Sequence, residues 1–241
     1  MHLKRLNASK NYQIPRKISK FVVAPRAGPH GKDRCVPFGV FLRDQLGLAK
    51  TLSEAKKALS KGDLLVDGRV IKDYKYPLGL MDIVSIPKMS THYRILLIGG
   101  KLAAREINEK EASFKLCRII GKKHIHGGKI QFGFHDGRVF IMGSGKAVSD
   151  KTEKAVYNVC DVLAFSLPDQ KIKSHLPMKA GNIAMITGGK HVGAVGKIKE
   201  VQIINNPEPN MVVMDIGGSV VRTLRDYIFI VGKDKPLIKL E

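Results

Sequence analysis

Residues 180–198 read Ala-Gly-Asn-Ile-Ala-Met-Ile-Thr-Gly-Gly-Lys-His-Val-Gly-Ala-Val-Gly-Lys-Ile, and this stretch carries the most specific pattern in the chain. Apolar residues alternate within it, which is typical of short β-strands. Its glycines fall where a small barrel needs sharp bends and where two backbone segments must approach closely. The pattern therefore predicts a small glycine-rich β-barrel over residues 176–210, followed by a terminal β unit over residues 211–241.

The loop of residues 188–193 in this stretch offers backbone amides beside the side chains of Lys190 and His191, and Lys197 follows it. Amides and cationic side chains are groups that bind phosphate. A nucleotide-hydrolysing P-loop needs the spacing GxxxxGK[ST], which this loop lacks. The stretch resembles the KOW motif of ribosomal proteins and transcription elongation factors, and the likeness implies an SH3-like barrel that binds RNA through these three residues. A glycine-rich barrel without a ligand is the alternative.

The charge of the chain is strongly positive, with 42 Lys+Arg against 21 Asp+Glu and a formal net charge of +21 in 241 residues. An excess of this size favours a nucleic-acid partner. Hydrophobic residues at 44% are enough for packed cores, and no apolar run approaches the length of a membrane-spanning helix. The first residues form no apolar signal segment, and Cys35, Cys117 and Cys160 never pair as CxxC. We therefore expect a cytoplasmic protein without a disulfide framework, a metal site or a membrane partner.

Residues 1–37 form a separate basic segment in which Asp33 is the only acidic residue. Four prolines and two glycines interrupt any regular element there, and the segment has little apolar surface. This composition predicts an extended arm that does not fold alone and becomes ordered along phosphates; a solvated tail is the alternative. The arm residues predicted to bind RNA are Lys4, Arg5, Arg16, Lys17, Arg26, His30 and Arg34.

Residues 38–90 predict a small α/β unit. Apolar residues recur at helical spacing until Gly47 ends a first helix, and a capping box of Thr51 and Glu54 begins a second helix that Gly62 ends. The dipeptide at residues 67–68, Asp-Gly, predicts a type I′ turn between two strands. Lys50, Lys57 and Lys61 follow one another at steps of seven and four residues, which places them on one face of the second helix. For any one of these lysines, a solvated helix face is the alternative. The RNA-binding residues predicted here are Arg43, Lys50, Thr51, Lys56, Lys57, Lys61 and Arg69.

The runs at residues 48–51, 54–56, 61–63 and 66–69 of this unit resemble the "S-four" RNA-binding domain. The likeness implies that two helices and a hairpin present one basic face to structured RNA. The sequence departs from the family after the capping hydroxyl. Leu52 and Ser53 stand where family members often carry two arginines. The prediction therefore depends more on Lys56, Lys57, Lys61 and Arg69 than on that turn.

Residues 91–175 contain several short alternating apolar stretches, such as Ile130–Phe134, which predict a β-rich and barrel-like middle unit. Lys122, Lys123 and Lys129 surround His124 and His126, and we expect the three lysines to bind RNA. A metal site at the two histidines would need further ligands nearby in the sequence, and none is present. Loop histidines near phosphate or solvent are the favoured interpretation.

The order of the units resembles the archaeal and eukaryotic "S-four-e" family of small-subunit ribosomal proteins over nearly the whole chain. Residues 25–30, 129–138, 166–172 and 188–193 follow that family closely, whereas Gly143–Val156 departs from it. The resemblance implies a multi-domain α+β fold that is mostly β. It also implies a structural constituent of the small ribosomal subunit in the cytoplasm. Such a protein binds small-subunit rRNA toward its 5′ region and contacts neighbouring ribosomal proteins, supports subunit assembly and translation, and uses no cofactor or small-molecule substrate.

Two enzyme classes also carry domains of the "S-four" kind. Residues 88–91, Lys-Met-Ser-Thr, resemble the KMSKS loop of class I aminoacyl-tRNA synthetases, and residues 124–127, His-Ile-His-Gly, resemble their HIGH motif. The two runs occur in the reverse order and lack a surrounding nucleotide-binding unit. Pseudouridine synthases need a large catalytic domain, for which no residues remain. We therefore expect no enzyme, with a KOW-bearing elongation factor as the alternative.

Overall fold

The computed structural model describes residues 2–143, 157–204 and 206–240. Within these ranges the chain is mostly β, with three short α-helices and five sheets, so the prediction of a mostly β fold is confirmed. None of the helices in these ranges is long and apolar enough to cross a membrane. Residues 144–156 of the segment that departs from the family lie outside the ranges described.

The N-terminal segment packs against the unit that follows it. Strand β1 (Leu3–Lys4) pairs with β2 (Phe21–Val22), and β3 (Cys35–Pro37) pairs with residues 77–79. Tyr12 is 1% exposed and belongs to the same core as residues 55 and 59. The expectation of an extended arm is therefore corrected. Leu3, Ala8, Tyr12 and Val36 of this segment are buried in the core that it shares with the next unit, and short strands and 3-10 turns connect them.

Residues 38–62 form the two predicted helical segments. Helix α1 (Phe38–Val40) continues as a π-helical turn over residues 41–45, and helix α2 (Leu52–Lys61) follows. Gly47 and Gly62, which lie beyond the two segments, have φ angles of +66° and +78°. Glycine adopts this left-handed conformation at low cost, which is why both residues end helices.

A hairpin and an antiparallel sheet complete this unit. Strands β4 (Leu65–Val66) and β5 (Arg69–Val70) flank a turn in which residues 67 and 68 both have positive φ, as predicted for a type I′ turn. The next strands are β6 (Pro77–Gly79), β7 (Ile83–Ile86), β8 (Thr91–Ile98) and β9 (Lys101–Ile107). The sheet order is β5-β4-β7-β8-β9, so strand pairing continues across residue 90.

The middle sheet is built around one long strand. After α3 (Glu109–Ala112) come β10 (Phe114–Ile125), β11 (Lys129–Phe134), β12 (Val139–Met142), β13 (Val162–Ser166) and β14 (Ile172–Leu176). The first half of β10 pairs with β13 and its second half pairs with β11. The sheet order is β12-β11-β10-β13-β14, and the two outer strands do not pair with each other within the ranges described, so the barrel is not closed.

The last sheet contains β15 (Ile183–Ile186), β16 (Val195–Gln202), β17 (Met211–Ile216), β18 (Ser219–Leu224) and β19 (Ile228–Gly232). Its order is β18-β17-β16-β15-β19, and in the described part of the chain its two outer strands also do not pair with each other. Because β16 pairs with β17, the units predicted at residues 176–210 and 211–241 share one open sheet.

The units share a hydrophobic interior. One core contains Met81 from the turn before β7, Leu96 from β8, Leu116 from the middle sheet, and Ile186 and Ile230 from the last sheet. Each of these five side chains is at most 1% exposed. The three large sheets are therefore held against one another by apolar burial, which fixes the relative positions of the surfaces they carry.

Candidate nucleic-acid interface

The outward face of α2 carries Lys57 and Lys61, which lie four residues apart and therefore on the same side of the helix. Both are exposed, whereas Ala55 and Leu59 on the opposite side are fully buried. Within the ranges described, neither lysine forms an ion pair with a carboxylate. Their charge is therefore available to an anionic partner.

The start of α2 is fixed by reciprocal hydrogen bonds. The backbone N–H of Glu54 donates to Thr51 Oγ1 at 3.2 Å, and Glu54 Oε2 accepts from the backbone N–H of Lys50 at 2.8 Å. Hydrogen bonds from the backbone N–H groups of Lys50 and Thr51 lower the pKa of the Glu54 carboxyl. Thr51 therefore caps the helix, while the Lys50 side chain extends into solvent.

A tyrosine ring joins α2 to the N-terminal segment. Nζ of Lys56 lies 4.3 Å from the ring centroid of Tyr74, and Nζ of Lys75 lies 5.6 Å from the same centroid. The backbone N–H of Arg26 donates to the carbonyl of Lys75 at 2.9 Å, and the Arg26 guanidinium lies 3.6 Å from Asp73. We call Arg26, Lys56, Tyr74 and Lys75 the Tyr74 patch. Tyr74 and Lys75 were missed from sequence, although the alternation of aromatic and basic residues at 74–76 is the signal that could have found them.

The β4–β5 hairpin turn directs two nearby charged side chains, Asp67 and Arg69, in different directions. Arg69 in β5 is exposed, while Asp67 points inward, where its carboxylate accepts from the backbone N–H of Ile83 at 3.0 Å. Gly68 lies against Pro168 of the middle unit. The turn therefore presents one cation to solvent and directs one carboxylate into the protein.

The predicted arm residues divide into exposed and buried groups. Lys4, Lys17, Arg26 and Arg34 are exposed. Arg16 is half-buried and donates to the carbonyl of Leu6 at 2.8 Å. Arg5 is 7% exposed, and its guanidinium donates to the backbone carbonyl of Pro15 and to Ser19 Oγ. This position corrects the expectation for Arg5, because its guanidinium is occupied in holding the segment folded.

The structure also places His30 away from the surface where RNA binding was predicted. Its side chain is buried, and Nε2 lies 3.0 Å from the carboxylate of Asp82. Gly79 packs against the imidazole so closely that a Cβ at residue 79 would overlap the ring. His30 therefore connects the N-terminal segment to the interior.

Asp82 belongs to a buried charge cluster that the sequence analysis did not find. We define this cluster as Asp67, Asp82, Lys115, Asp136 and Arg138. Lys115 Nζ lies 2.6 Å from Asp82, 2.7 Å from Asp67 and 3.0 Å from Asp136. The Arg138 guanidinium lies 2.6 Å from Asp67 and 2.9 Å from Asp136. The cluster therefore joins the first sheet to the middle sheet through charge-assisted hydrogen bonds.

Burial and pairing act in opposite directions on these charges. Desolvation alone would lower the pKa of Lys115, but the carboxylates of Asp82, Asp67 and Asp136 raise it well above its ordinary value. Desolvation alone would raise the pKa of Asp82, but Lys115 and His30 hold it well below the usual range. Pairing prevails, so Lys115 and Asp82 are ionised inside the protein.

His135 lies beside the cluster and is fixed as a neutral imidazole. Its Nδ1 accepts from the backbone N–H of Arg118 at 3.2 Å, so Nε2 carries the proton and donates to the carbonyl of Leu80 at 3.2 Å. Burial lowers the pKa of His135 to about 4. Ligand atoms of Cys117, His135 and Asp136 lie within 4.8 Å of one another, but Asp136 is paired with two cations and both His135 nitrogens are engaged. These hydrogen bonds leave the trio without a free donor set for a metal ion.

The basic residues of the middle sheet lie at the end of the β10–β11 hairpin. Lys123 and Lys129 are exposed, as are His124 and His126. Lys122 is half-buried, and its ammonium donates to the carbonyl of Tyr157 at 3.3 Å. The hairpin end therefore presents two free lysines beside two exposed histidines.

The glycine-rich loop packs against the turn between β8 and β9. Gly193 has a φ of +87°, and a Cβ there would lie 2.9 Å from the carbonyl oxygen of Leu97. Lys190 and His191 at the loop tip are exposed, and so is Lys197 in β16. The predicted cations of this unit therefore face solvent. They lie on the last sheet and its loop, whereas α2 belongs to the first unit.

Arg43 differs from the other predicted cations of the first unit. Its guanidinium is half-buried and donates twice to the neighbouring carboxylate of Asp44, at 3.1 and 2.7 Å.

Exposed lysines on a capped helix, an aromatic ring between cations and a strongly basic chain are together the features of a nucleic-acid-binding protein.

Comparisons with known proteins agree with this class. The model described as "RS4NT (NUC023) domain" matches residues 1–33, the S4 domain matches residues 40–84, and the ribosomal family S4e matches residues 89–172. The small ribosomal subunit protein eS4 of Archaeoglobus fulgidus is 41% identical over 244 residues, covering 100% of this chain and 98% of that protein. Its counterpart in Methanocaldococcus jannaschii is 42% identical over 243 residues, covering 99% and 97%.

A solved structure shows the same likeness. The crystal structure of the 30S ribosomal protein S4e from Thermoplasma acidophilum superposes with a TM-score of 0.68 at 32% identity, covering 84% of this chain and 97% of that one. The chain belongs to the ribosomal family S4e. The prediction of that family is confirmed, and so is the prediction that the chain is not an enzyme.

Proposed function

We propose that this chain is a structural constituent of the small ribosomal subunit that binds small-subunit rRNA and supports subunit assembly and translation. The observation that carries the proposal is likeness over the full length. The eS4 protein of Archaeoglobus fulgidus matches the whole of this chain at 41% identity, without a large insertion that could hold a further domain.

The primary RNA contact in this proposal is the α2 face with the adjacent hairpin. Lys57 and Lys61 are exposed on α2, whose start and end are both capped, and Lys50 is exposed just before its first turn. Arg69 is exposed on the type I′ hairpin. A capped helix holds its side chains in a fixed array, so little conformational entropy is lost when phosphates bind. The Tyr74 patch adds a ring that can stack on an unpaired base or hold the two lysines in place.

Secondary contacts come from the other two sheets. The exposed cations there are Lys123, Lys129, Lys190, His191 and Lys197, with Lys4, Lys17, Arg26 and Arg34 in the N-terminal segment. We assign the glycine-rich loop, within residues 176–210, to a KOW-type unit that shares its sheet with the terminal unit at residues 211–241. Because the cations lie on several sheets, the protein would bridge separate RNA segments.

The remaining features of the proposal follow from the family resemblance. The RNA partner is the 5′ region of small-subunit rRNA, the protein partners are neighbouring small-subunit proteins, and the protein acts on the ribosome in the cytoplasm. Support for the RNA partner comes from the net charge of +21, which favours phosphate contacts whose strength depends on salt.

Cosedimentation tests the proposal. The full-length protein is mixed with small subunits lacking their own copy and with intact large subunits, each at moderate salt, and centrifuged. We expect stoichiometric recovery with the small subunits and little recovery with the large subunits. Equal recovery with both particles would indicate nonspecific attraction to rRNA and would contradict the assignment.

A further inference from the structure

A cavity of about 240 Å³ lies where the N-terminal segment and all three large sheets meet. The turn after β8, the glycine-rich loop, β10 and β19 each contribute a wall. The apolar walls are formed mainly by Leu80, Leu97, Leu102, Ile120, Val192 and Phe229. One water occupies about 30 Å³, so the space equals about eight waters and is large enough for the rings of one nucleobase.

Two arginines line the same cavity. Arg34 is exposed, and within the ranges described its guanidinium has no carboxylate partner. Arg118 is half-buried and donates through one guanidinium nitrogen to the carbonyls of Asp226 and Ile228. Burial lowers the pKa of Arg118, and the positive charge of Arg34 contributes to that shift. Two like charges facing one cavity favour an anion between them.

We propose that this cavity receives one unpaired nucleotide of the bound RNA, with its base against the apolar walls and its phosphate between Arg34 and Arg118. The proposal rests on the proposed function and adds a specific site to it. An apolar slot lined also by two guanidinium groups fits the two halves of a nucleotide, a flat ring system and an anion. Asn11, which also lines the cavity, can supply its amide oxygen to a base edge, since its amide nitrogen donates to the carbonyl of Asp33.

Two pairs of matched variants isolate the cavity. Ile120→Trp fills its mouth, and Ile141→Trp enlarges an equally exposed isoleucine of the same sheet, the two being 54% and 51% exposed. Arg34→Ala removes the free arginine, and Lys32→Ala removes an exposed cation from the same 3-10 turn. Each full-length variant is bound to small-subunit RNA, and base-specific chemical probing is read at every nucleotide beside a titration for Kd.

With the wild-type protein we expect one unpaired base to be protected inside the footprint. Ile120→Trp and Arg34→Ala should lose protection at that base and weaken binding by roughly 5- to 150-fold, since stacking of one base contributes that much. Ile141→Trp and Lys32→Ala should keep the protection. Unchanged protection in Ile120→Trp and Arg34→Ala would overturn the proposal while leaving the footprint, and so the proposed function, intact.

A free nucleotide is the other source of the same chemistry. Titration of the wild-type protein with AMP and with GMP should give no saturable binding below millimolar concentration. Saturable binding that Ile120→Trp abolishes, together with RNA protection that Ile120→Trp leaves unchanged, would assign the cavity to a free nucleotide and overturn the proposal. If the wild-type protein gave no footprint at all on small-subunit RNA, that result would instead count against the proposed function.

Discussion

Lys115 Nζ lies 2.6 Å from Asp82 Oδ1, and this contact joins the middle sheet to the first sheet inside the protein. Both side chains are at most 2% exposed. The same ammonium reaches Asp67, the first residue of the hairpin turn that presents Arg69 outward. The buried charge cluster therefore fixes the direction of the hairpin on which one proposed RNA contact lies.

Removing the cluster's central cation should cost much of the stability. Lys115→Met leaves Asp67 and Asp136 sharing Arg138 and leaves Asp82 with His30. Loss of one partner from a buried ion pair costs about 3–5 kcal/mol. The free energy of unfolding, measured by urea denaturation, should fall by that amount. Lys171→Met, which changes an exposed lysine of the middle unit, is the control and should change it by less than about 0.5 kcal/mol. Equal effects of the two variants would show that the cluster does not hold the sheets together.

His135 should make stability depend on pH in a defined window. Its pKa is lowered from 6.5 to about 4, so between these values the unfolded chain binds a proton that the folded chain does not. The free energy of unfolding should therefore decrease by up to about 3 kcal/mol as pH falls from 6.5 to 4. His135→Gln should remove this part of the slope, and His126→Gln, at an exposed position, should retain it. The same slope in both variants would mean that His135 is not held neutral.

The packing of the glycine-rich loop against the β8–β9 turn can be tested at Gly193. Its φ of +87° is unfavourable for any residue with a Cβ, and that Cβ would meet the carbonyl oxygen of Leu97. Gly193→Ala should lower the midpoint of thermal unfolding and cost about 1–3 kcal/mol. Gly181→Ala is the matched control, because residue 181 has a similar φ of +90° and a Cβ there meets no atom within 4 Å. A neutral Gly193→Ala would show that the loop does not contact the turn as described.

Local signals in the sequence were sufficient for the parts of the fold that depend on near neighbours. The cap of Thr51 and Glu54, the end of α2 at Gly62 and the type I′ turn each involve residues within four positions of one another. Their geometry follows from local backbone and side-chain chemistry, so these features could be predicted from the sequence.

Contacts between distant residues could not be predicted in this way. His30 and Asp82 are 52 positions apart, and Asp67 and Lys115 are 48 apart. No periodicity relates such residues, so a buried histidine was taken for an RNA ligand and the charge cluster was missed. The folding of the N-terminal segment was missed for the same reason: the partners of Tyr12 and Val36 lie in the next unit.

Binding to RNA should weaken steeply with salt. Each phosphate that a lysine or arginine neutralises releases condensed counterions, and with roughly six to ten contacts affinity should fall about a thousandfold or more between ~50 and ~200 mM salt. A titration of the small-subunit RNA fragment at several salt concentrations gives the slope. A flat response would show that phosphate contacts do not dominate.

The most direct test of the account compares two triple variants of equal charge loss. Lys57, Lys61 and Arg69 changed together to alanine alter the proposed face, and Lys110, Lys171 and Lys235 changed together alter exposed lysines elsewhere. All six positions are exposed, so circular dichroism melts should match the wild type for both proteins. The measurement is the footprint and Kd on small-subunit RNA at one fixed salt concentration. We predict that the first variant loses the specific footprint and binds at least tenfold more weakly than the second. Equal affinity and an intact footprint for both variants would contradict the assignment of α2 and its hairpin as the RNA-binding face.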